Sequence, residues 1–159
     1  MTWVGRRDDD IRSSKDYMSI KMQRDMDFFL EQNKSIKKNW TWIESVDDIY
    51  EFYEKTDALI IPSIYEGLPL VLCEAMLSGC FVIASSVCDH PMIIGDNERG
   101  LLCNPLSPES ICICLENLNN MDAEVKSIIV KRARKFAIKN FDLDQMLNKY
   151  ETLLIPNKK

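Results

Sequence analysis

A doubly wound α/β fold, with a mainly parallel sheet and helices on both of its faces, is predicted by three features of this sequence. Short apolar runs alternate along the chain with segments of helical periodicity, the pattern of successive βαβ units. Two of these runs, ALII at 58–61 and FVIA at 81–84, are apolar without interruption, as expected of strands covered on both faces. The 159 residues with 46% hydrophobic content suffice for one buried core but not for two full domains, so a single domain over residues 1–159 is expected.

TWVG at 2–5 is short, β-prone and closed by a glycine, which makes it a strand. After the polar stretch RRDDDIRSS, Met18, Met22, Met26 and Phe29 recur near helical spacing and predict an amphipathic helix from about 14 to 32. Lys37, Lys38 and Asn39 make a polar loop end before WTWI at 40–43, an aromatic and β-branched run of strand length. Ser45 followed by Asp48 has capping-box character, and Ile49, Phe52 and Tyr53 then share one helical face. Pro62 stops the strand ALII. Pro69 suits the first turn of a helix whose inner face Leu70, Cys73 and Leu77 define, until Gly79 ends it. FVIA follows, and GLLC at 100–103 is a further short strand. Ser107 and Pro108 open a helix, and Val125, Ile128, Ile129, Ala133, Phe136 and Ala137 stripe a second. A third begins at Asp142, capped with the help of Gln145, and carries Leu143, Met146, Leu147, Tyr150 and Leu154 on one side.

The formal charge of -5 and a pI near 5.0 argue against a surface dedicated to nucleic-acid phosphates, so no nucleic-acid partner is expected. A basic run, Lys131, Arg132, Arg134 and Lys135, falls by helical spacing mostly on the solvated side. The six cysteines (Cys73, Cys80, Cys88, Cys103, Cys112, Cys114) sit mostly in apolar segments, lack the paired short spacings of a zinc site, and read as core thiols. The first residues carry Arg6, Arg7 and the acidic run Asp8, Asp9 and Asp10 where a secretory leader would be apolar. No apolar run approaches the ~20 residues that span a bilayer. Together these features place the chain in a reducing cytoplasm.

In an open parallel sheet, ligands bind beyond the carboxyl ends of the strands, where loops meet helix N-termini. Here that place is PSIYEGLP at 62–69. Gly67 lets the backbone approach a ligand closely, and the helix beginning near Pro69 presents unpaired N–H groups and a positive dipole end, a natural anion site. Glu66 lies in the loop, and Glu74 lies about 7.5 Å up the helix from Pro69 at 1.5 Å per residue, so both can face one crevice. Carboxylates beside an anion site suit hydroxyls better than phosphates. Spacing alone leaves the plainer alternatives open: a solvated loop glutamate, and a glutamate that complements the helix dipole. A metal is not demanded, because no Asp-x-Asp stands at a clear strand end and the aspartates at 8–10 form a charged loop.

The stretch from Asp57 to Pro105, DALIIPSIYEGLPLVLCEAMLSGCFVIASSVCDHPMIIGDNERGLLCNP, resembles the C-terminal domain of family 4 retaining glycosyltransferases. The features shared are the strand ending in Pro-Ser, the Glu-Gly-x-Pro loop, a second glutamate eight positions after the first, the Glu-Ala-Met helix ending in glycine, and the later Gly-Leu-Leu strand. The resemblance implies a Rossmann-like domain, the C-terminal half of a GT-B fold. It implies the donor site of an enzyme that moves a hexosyl group from a UDP-sugar or GDP-sugar to an acceptor with retention. Glu66 matches the glutamate that contacts the donor hexose, and is the candidate catalytic residue, by positioning or by a covalent role. Glu74 matches the one that binds the ribose, and Gly67, Leu68, Pro69 and Leu70 match the backbone that approaches sugar and diphosphate. Ser45 corresponds loosely to the segment beside the base.

Family members usually have an earlier strand whose Arg and Lys hold the diphosphate, and an N-terminal domain that supplies the acceptor site; neither is visible here. Arg6 and Arg7 are candidates for the diphosphate, with solvation as the plainer reading. Cys88, Asp89, His90 and Pro91 stand where the family more often has glycines followed by a glutamate, and His90, the only histidine, is either a cleft residue or a structural one. The expected setting is surface polysaccharide biosynthesis, with no cofactor beyond the donor, an N-terminal acceptor domain or chain as partner, and peripheral membrane association of the complete enzyme. This chain alone is then inactive. The rival expectation is a non-catalytic binding or assembly module that retains the sheet. A dinucleotide-binding enzyme fits less well, since Gly-x-Gly-x-x-Gly is absent.

Overall fold

Two parallel ladders organise the chain. A computed structural model describes residues 1–4, 17–43 and 46–155, and the chain divides into two compact units, Met1–Ile49 and Tyr50–Lys159. In the first unit β1 (Thr2–Val4) pairs with β2 (Thr41–Ile43), Thr2 opposite Thr41 and Val4 opposite Ile43. A parallel pair needs a crossover, which α1 (Tyr17–Gln32) and α2 (Lys34–Lys37) provide. The α2 turn occupies part of the expected loop. It is set off from α1 by Asn33, which leaves helical geometry at φ -120° and ψ 68° while its side-chain amide donates to Phe29 O at 2.9 Å. The face expected for α1 is also rotated: Leu30 is buried, whereas Met26 and Phe29 are exposed.

The second unit contains α3 (Tyr50–Lys55), β3 (Ala58–Ile61), α4 (Leu70–Ser78), β4 (Phe81–Ser85), α5 (His90–Ile94), β5 (Leu101–Cys103), α6 (Pro108–Asn119), α7 (Ala123–Asn140) and α8 (Leu143–Leu154). Its ladder is β3-β4-β5, parallel throughout, with 58–61 opposite 81–84 and 83–85 opposite 101–103. Every residue of β4 is buried. Because successive strand residues point to opposite faces, both faces are covered at this strand, as its unbroken apolar run anticipates. The flanking cover comes from helices: α4 and α7 pack on β4, and α5 and α6 on β5. Phe81, Ile83, Cys103, Cys114 and Ile129 form one core cluster.

Helix α4 departs from its expected stripe. Leu72, Cys73, Ala75 and Met76 are buried, Leu77 is half-buried and Leu70 is exposed, because α4 is contacted by α3, α7, β3 and β4 rather than along one line. A helix with neighbours on several sides is apolar nearly all round, so periodicity cannot locate its inner face. On α7, Ile129, Ala133 and Ala137 are buried and Phe136 half-buried, but Val125 and Ile128 are exposed. Lys131, Arg132, Arg134 and Lys135 are all exposed, as spacing predicts. The α8 stripe does not enter a core: Leu143, Met146, Leu147, Tyr150 and Leu154 are all exposed, since amphipathic spacing encodes the capacity to pack and not the presence of a facing surface.

Ser107 Oγ accepts the Ser110 amide at 3.1 Å and Asp142 Oδ1 the Gln145 amide at 2.9 Å, so both expected helix starts are capped. Helix α5 is not foreseen by periodicity. It has only five residues, follows Cys88 at φ 48°, and stops at Gly95 at φ 60°. Arg99 closes its far end by donating Nε to Ile93 O at 2.7 Å and Nη2 to Met92 O at 3.0 Å, with its guanidinium 4.2 Å above the Phe136 ring. No described helix is long and apolar enough to cross a membrane.

Four thiols are core groups, but Cys88 and Cys112 are exposed, the first in the turn before α5 and the second on the outer side of α6 from buried Cys114. Burial, with a smaller contribution from the neighbouring Glu74 carboxylate, pushes the Cys73 thiol from 9.0 up to about 11. Its stabilising contribution is therefore present below pH 9 and is lost as pH rises through about 11. Alkylation of the native protein at pH 8, read by mass spectrometry, should modify Cys88 and Cys112 rapidly and the buried four only after denaturation. Gly100 is held by close approach: a Cβ there would lie 2.6 Å from Val82 O and 2.7 Å from Val82 Cγ2. Gly100→Ala should lower the urea midpoint, with a loss of about 1–3 kcal/mol for an overpacked site.

Candidate functional site

Strands β3 and β4 end side by side, Ile61 opposite Ala84, so the segments after them leave from the same carboxyl edge of the ladder. The loop after β3 turns back on its own hydroxyls. Ser85 Oγ, at the end of β4, donates to Ser63 O at 2.6 Å, and Ser63 Oγ donates to Glu66 Oε1 at 2.6 Å. Glu66 is thereby half-buried and oriented, although it sits in a loop.

The loop enters α4 through buried Pro69, which acts as N-cap at φ -77° and ψ 89° without a side-chain capping bond. Pro69 O accepts from the amides of Leu72 at 3.0 Å and Cys73 at 3.2 Å. The amides of Leu70 and Val71 precede the first of these donors and have no acceptor within the helix, which leaves them for solvent or an anion. A Cβ at Gly67 would meet nothing within 4 Å, so the chain's own packing does not require glycine there and the backbone is open to approach. Over residues 64–71 five apolar side chains, Ile64, Tyr65, Leu68, Leu70 and Val71, are exposed, an unusual density for a surface that meets only water.

Glu74 is the fifth residue of α4, half-buried, and its Oε2 accepts from the Tyr53 hydroxyl at 3.1 Å. Tyr53 comes from α3 and is buried; burial above all, then the Glu74 charge and hydrogen bond, push its hydroxyl far above the usual tyrosine range. The proton therefore stays on Tyr53, and the pair is a fixed donor and acceptor. Sequence reading places Tyr53 only on a helical face and misses this contact. The available signal is that a buried tyrosine, unlike phenylalanine, needs a partner for its hydroxyl.

Each predicted glutamate is thus held by one hydroxyl donor, Glu66 by Ser63 and Glu74 by Tyr53. Gly67, Leu68, Pro69 and Leu70 lie between them, along the loop and the helix start. Ser45, Arg6, Arg7 and the aspartates at 8–10 lie outside the described residues. Among the described residues no group of three or more His, Cys, Asp or Glu side chains comes together as a metal site.

A family model described as Glycosyl transferases group 1 matches residues 24–136, which include the whole of this site. The chain belongs to the group 1 glycosyl transferases. It is similar to an uncharacterized glycosyltransferase of Methanocaldococcus jannaschii, 30% identical over 100 residues that cover 63% of this chain and 25% of that protein. Its fold is similar to sucrose-phosphate synthase from Thermosynechococcus elongatus, with a TM-score of 0.79, 23% identity, and coverage of 98% of this chain and 39% of that one. It is also similar to Anabaena HepE in complex with UDP and glucose, with a TM-score of 0.79, 17% identity, and coverage of 96% and 39%. The α/β GT-B architecture expected from the Glu-Gly-x-Pro region is therefore present. The chain spans a quarter of the length of the curated relative and about two fifths of the solved chains.

Tyr53→Phe removes one hydrogen bond to a half-buried carboxylate and should cost about 1 kcal/mol of stability. Urea denaturation of Tyr53→Phe, Glu74→Gln and the double variant would check it: non-additive losses are expected, and additive ones would show that the two side chains are not coupled.

Proposed function

We propose that this chain is the donor-binding, C-terminal half of a family 4 retaining glycosyltransferase, which takes a hexosyl group from a UDP-sugar or GDP-sugar. The observation that carries this reading is the pair of carboxylates, each oriented by a buried or half-buried hydroxyl, on either side of an uncapped helix start within the family-matched residues. Glu66 addresses the hexose as the catalytic residue, by positioning. Glu74 accepts from the vicinal hydroxyls of the ribose. The open backbone from Gly67 through Leu68 and Pro69 to Leu70 approaches the diphosphate.

Glycosyl transfer needs negative charge stabilised on the departing diphosphate while the anomeric carbon becomes positive. The free amides of Leu70 and Val71, with the α4 dipole behind them, supply that field, so the binding step does not call for a cation. The exposed apolar residues at 64–71 suit a surface completed by an acceptor domain or chain. We place the enzyme in the cytoplasm, in contact with the membrane surface, in the assembly of surface polysaccharide.

Calorimetric titration of the chain with UDP, GDP, UDP-glucose and GDP-mannose tests the reading. One nucleotide should bind, with affinity unaffected by EDTA. Glu74→Ala should weaken both the nucleotide and its sugar by about 10- to 100-fold, the cost of hydrogen bonds to a charged group. Glu66→Gln and Gly67→Ala should weaken the nucleotide sugar more than the nucleotide. Absence of binding by any of the four would favour the non-catalytic assembly module instead.

A further inference from the structure

His90 is fully buried at the first residue of α5, and Ser85 is fully buried at the last residue of β4. His90 Nδ1 lies 2.8 Å from Ser85 O and 3.3 Å from Ser85 Oγ. A carbonyl oxygen can only accept, so Nδ1 carries the hydrogen. The single hydrogen of Ser85 Oγ is committed to Ser63 O at 2.6 Å, so toward His90 that hydroxyl is an acceptor as well. Donation therefore runs one way, from His90 to Ser85, from Ser85 to the Ser63 carbonyl, and from Ser63 Oγ to Glu66 Oε1 at 2.6 Å.

We infer that His90 is a positioning residue for Glu66, acting through Ser85 and Ser63. Packing alone does not account for a histidine here. Its Nε2 is buried without a partner among the described residues, and an apolar side chain would fill the same space without the cost of an unpaired polar atom. What the ring supplies is the Nδ1 donor that holds the end of β4. That in turn fixes the Ser63 peptide and the direction of its hydroxyl. This inference rests on the reading of Glu66 as the carboxylate that faces the hexose.

Three variants of the full chain test it. His90→Leu removes the donor at similar volume, His90→Asn keeps a side-chain N–H near the position of Nδ1, and Ser63→Ala cuts the last link outside the core. Titration with UDP-glucose or GDP-mannose should show about a five- to tenfold loss in His90→Leu and Ser63→Ala, the scale of one misplaced hydrogen bond. The parent nucleotide should bind unchanged, and His90→Asn should recover most of the loss. In the ligand-free chain, the Glu66 carboxylate 13C resonance should move in His90→Leu and Ser63→Ala and stay near its wild-type position in His90→Asn. Equal losses for nucleotide and nucleotide sugar, or an unmoved Glu66 resonance in His90→Leu, would overturn the inference. If the wild type binds no nucleotide, the donor-site reading fails, while the Glu66 resonance still decides whether the relay operates.

Discussion

Complete burial of β4 is the constraint on which the second unit depends. A strand hidden on both faces cannot tolerate polar side chains along its length, and its backbone groups must be met by neighbours on both edges. Phe81 to Ala84 satisfy the first condition, and β3 and β5 the second. Parallel pairing then forces each connection to cross over a face, so α4 and the segment containing α5 become the cover that burial requires. The same geometry gathers the carboxyl ends of the strands at one edge, which is why the loop bearing Glu66 emerges there after β3.

At that edge the core gives way to polar contacts arranged in one direction. Ser85 and His90 are the buried polar residues of the described chain, and both stand where β4 ends. Their bonds tie the strand terminus to the loop that bears Glu66, so a side chain in a connecting segment inherits rigidity from the sheet. Glu74 gains the same from α3 through Tyr53. An ionised carboxylate has lone pairs for about four donors, so one internal donor apiece orients these groups and leaves capacity for a ligand. Orientation before binding lowers the entropic cost of ordering them afterwards.

Membership of the group 1 glycosyl transferases gives this arrangement its chemical context. In glycosyl transfer an amide-rich helix start suits an anion and carboxylates suit hydroxyls. Exposed apolar side chains stand from Ile64 to Val71 and along α8. Water alone gives no reason for either.

Much of this was legible in the residue order. The strand ALII coincides with β3, and the caps at Ser107 and Asp142 form the expected bonds, because apolar runs and capping chemistry act between near neighbours. The Glu-Gly-x-Pro loop and the glutamate eight positions on are what single out the candidate site in the sequence. Other features depended on partners far along the chain. The burial of α4 on several sides, the exposure of α8, and the five-residue α5 after a left-handed Cys88 had no local signature, since periodicity reports a helix's own pattern and not what faces it. Tyr53 meets Glu74 from 21 positions away and Ser85 meets Ser63 from 22. The order of residues thus determined the elements and the chemical character of the site, through interactions within a turn or a strand. Only tertiary structure decided which hydroxyl holds which carboxylate, because such pairings arise from packing one element on another.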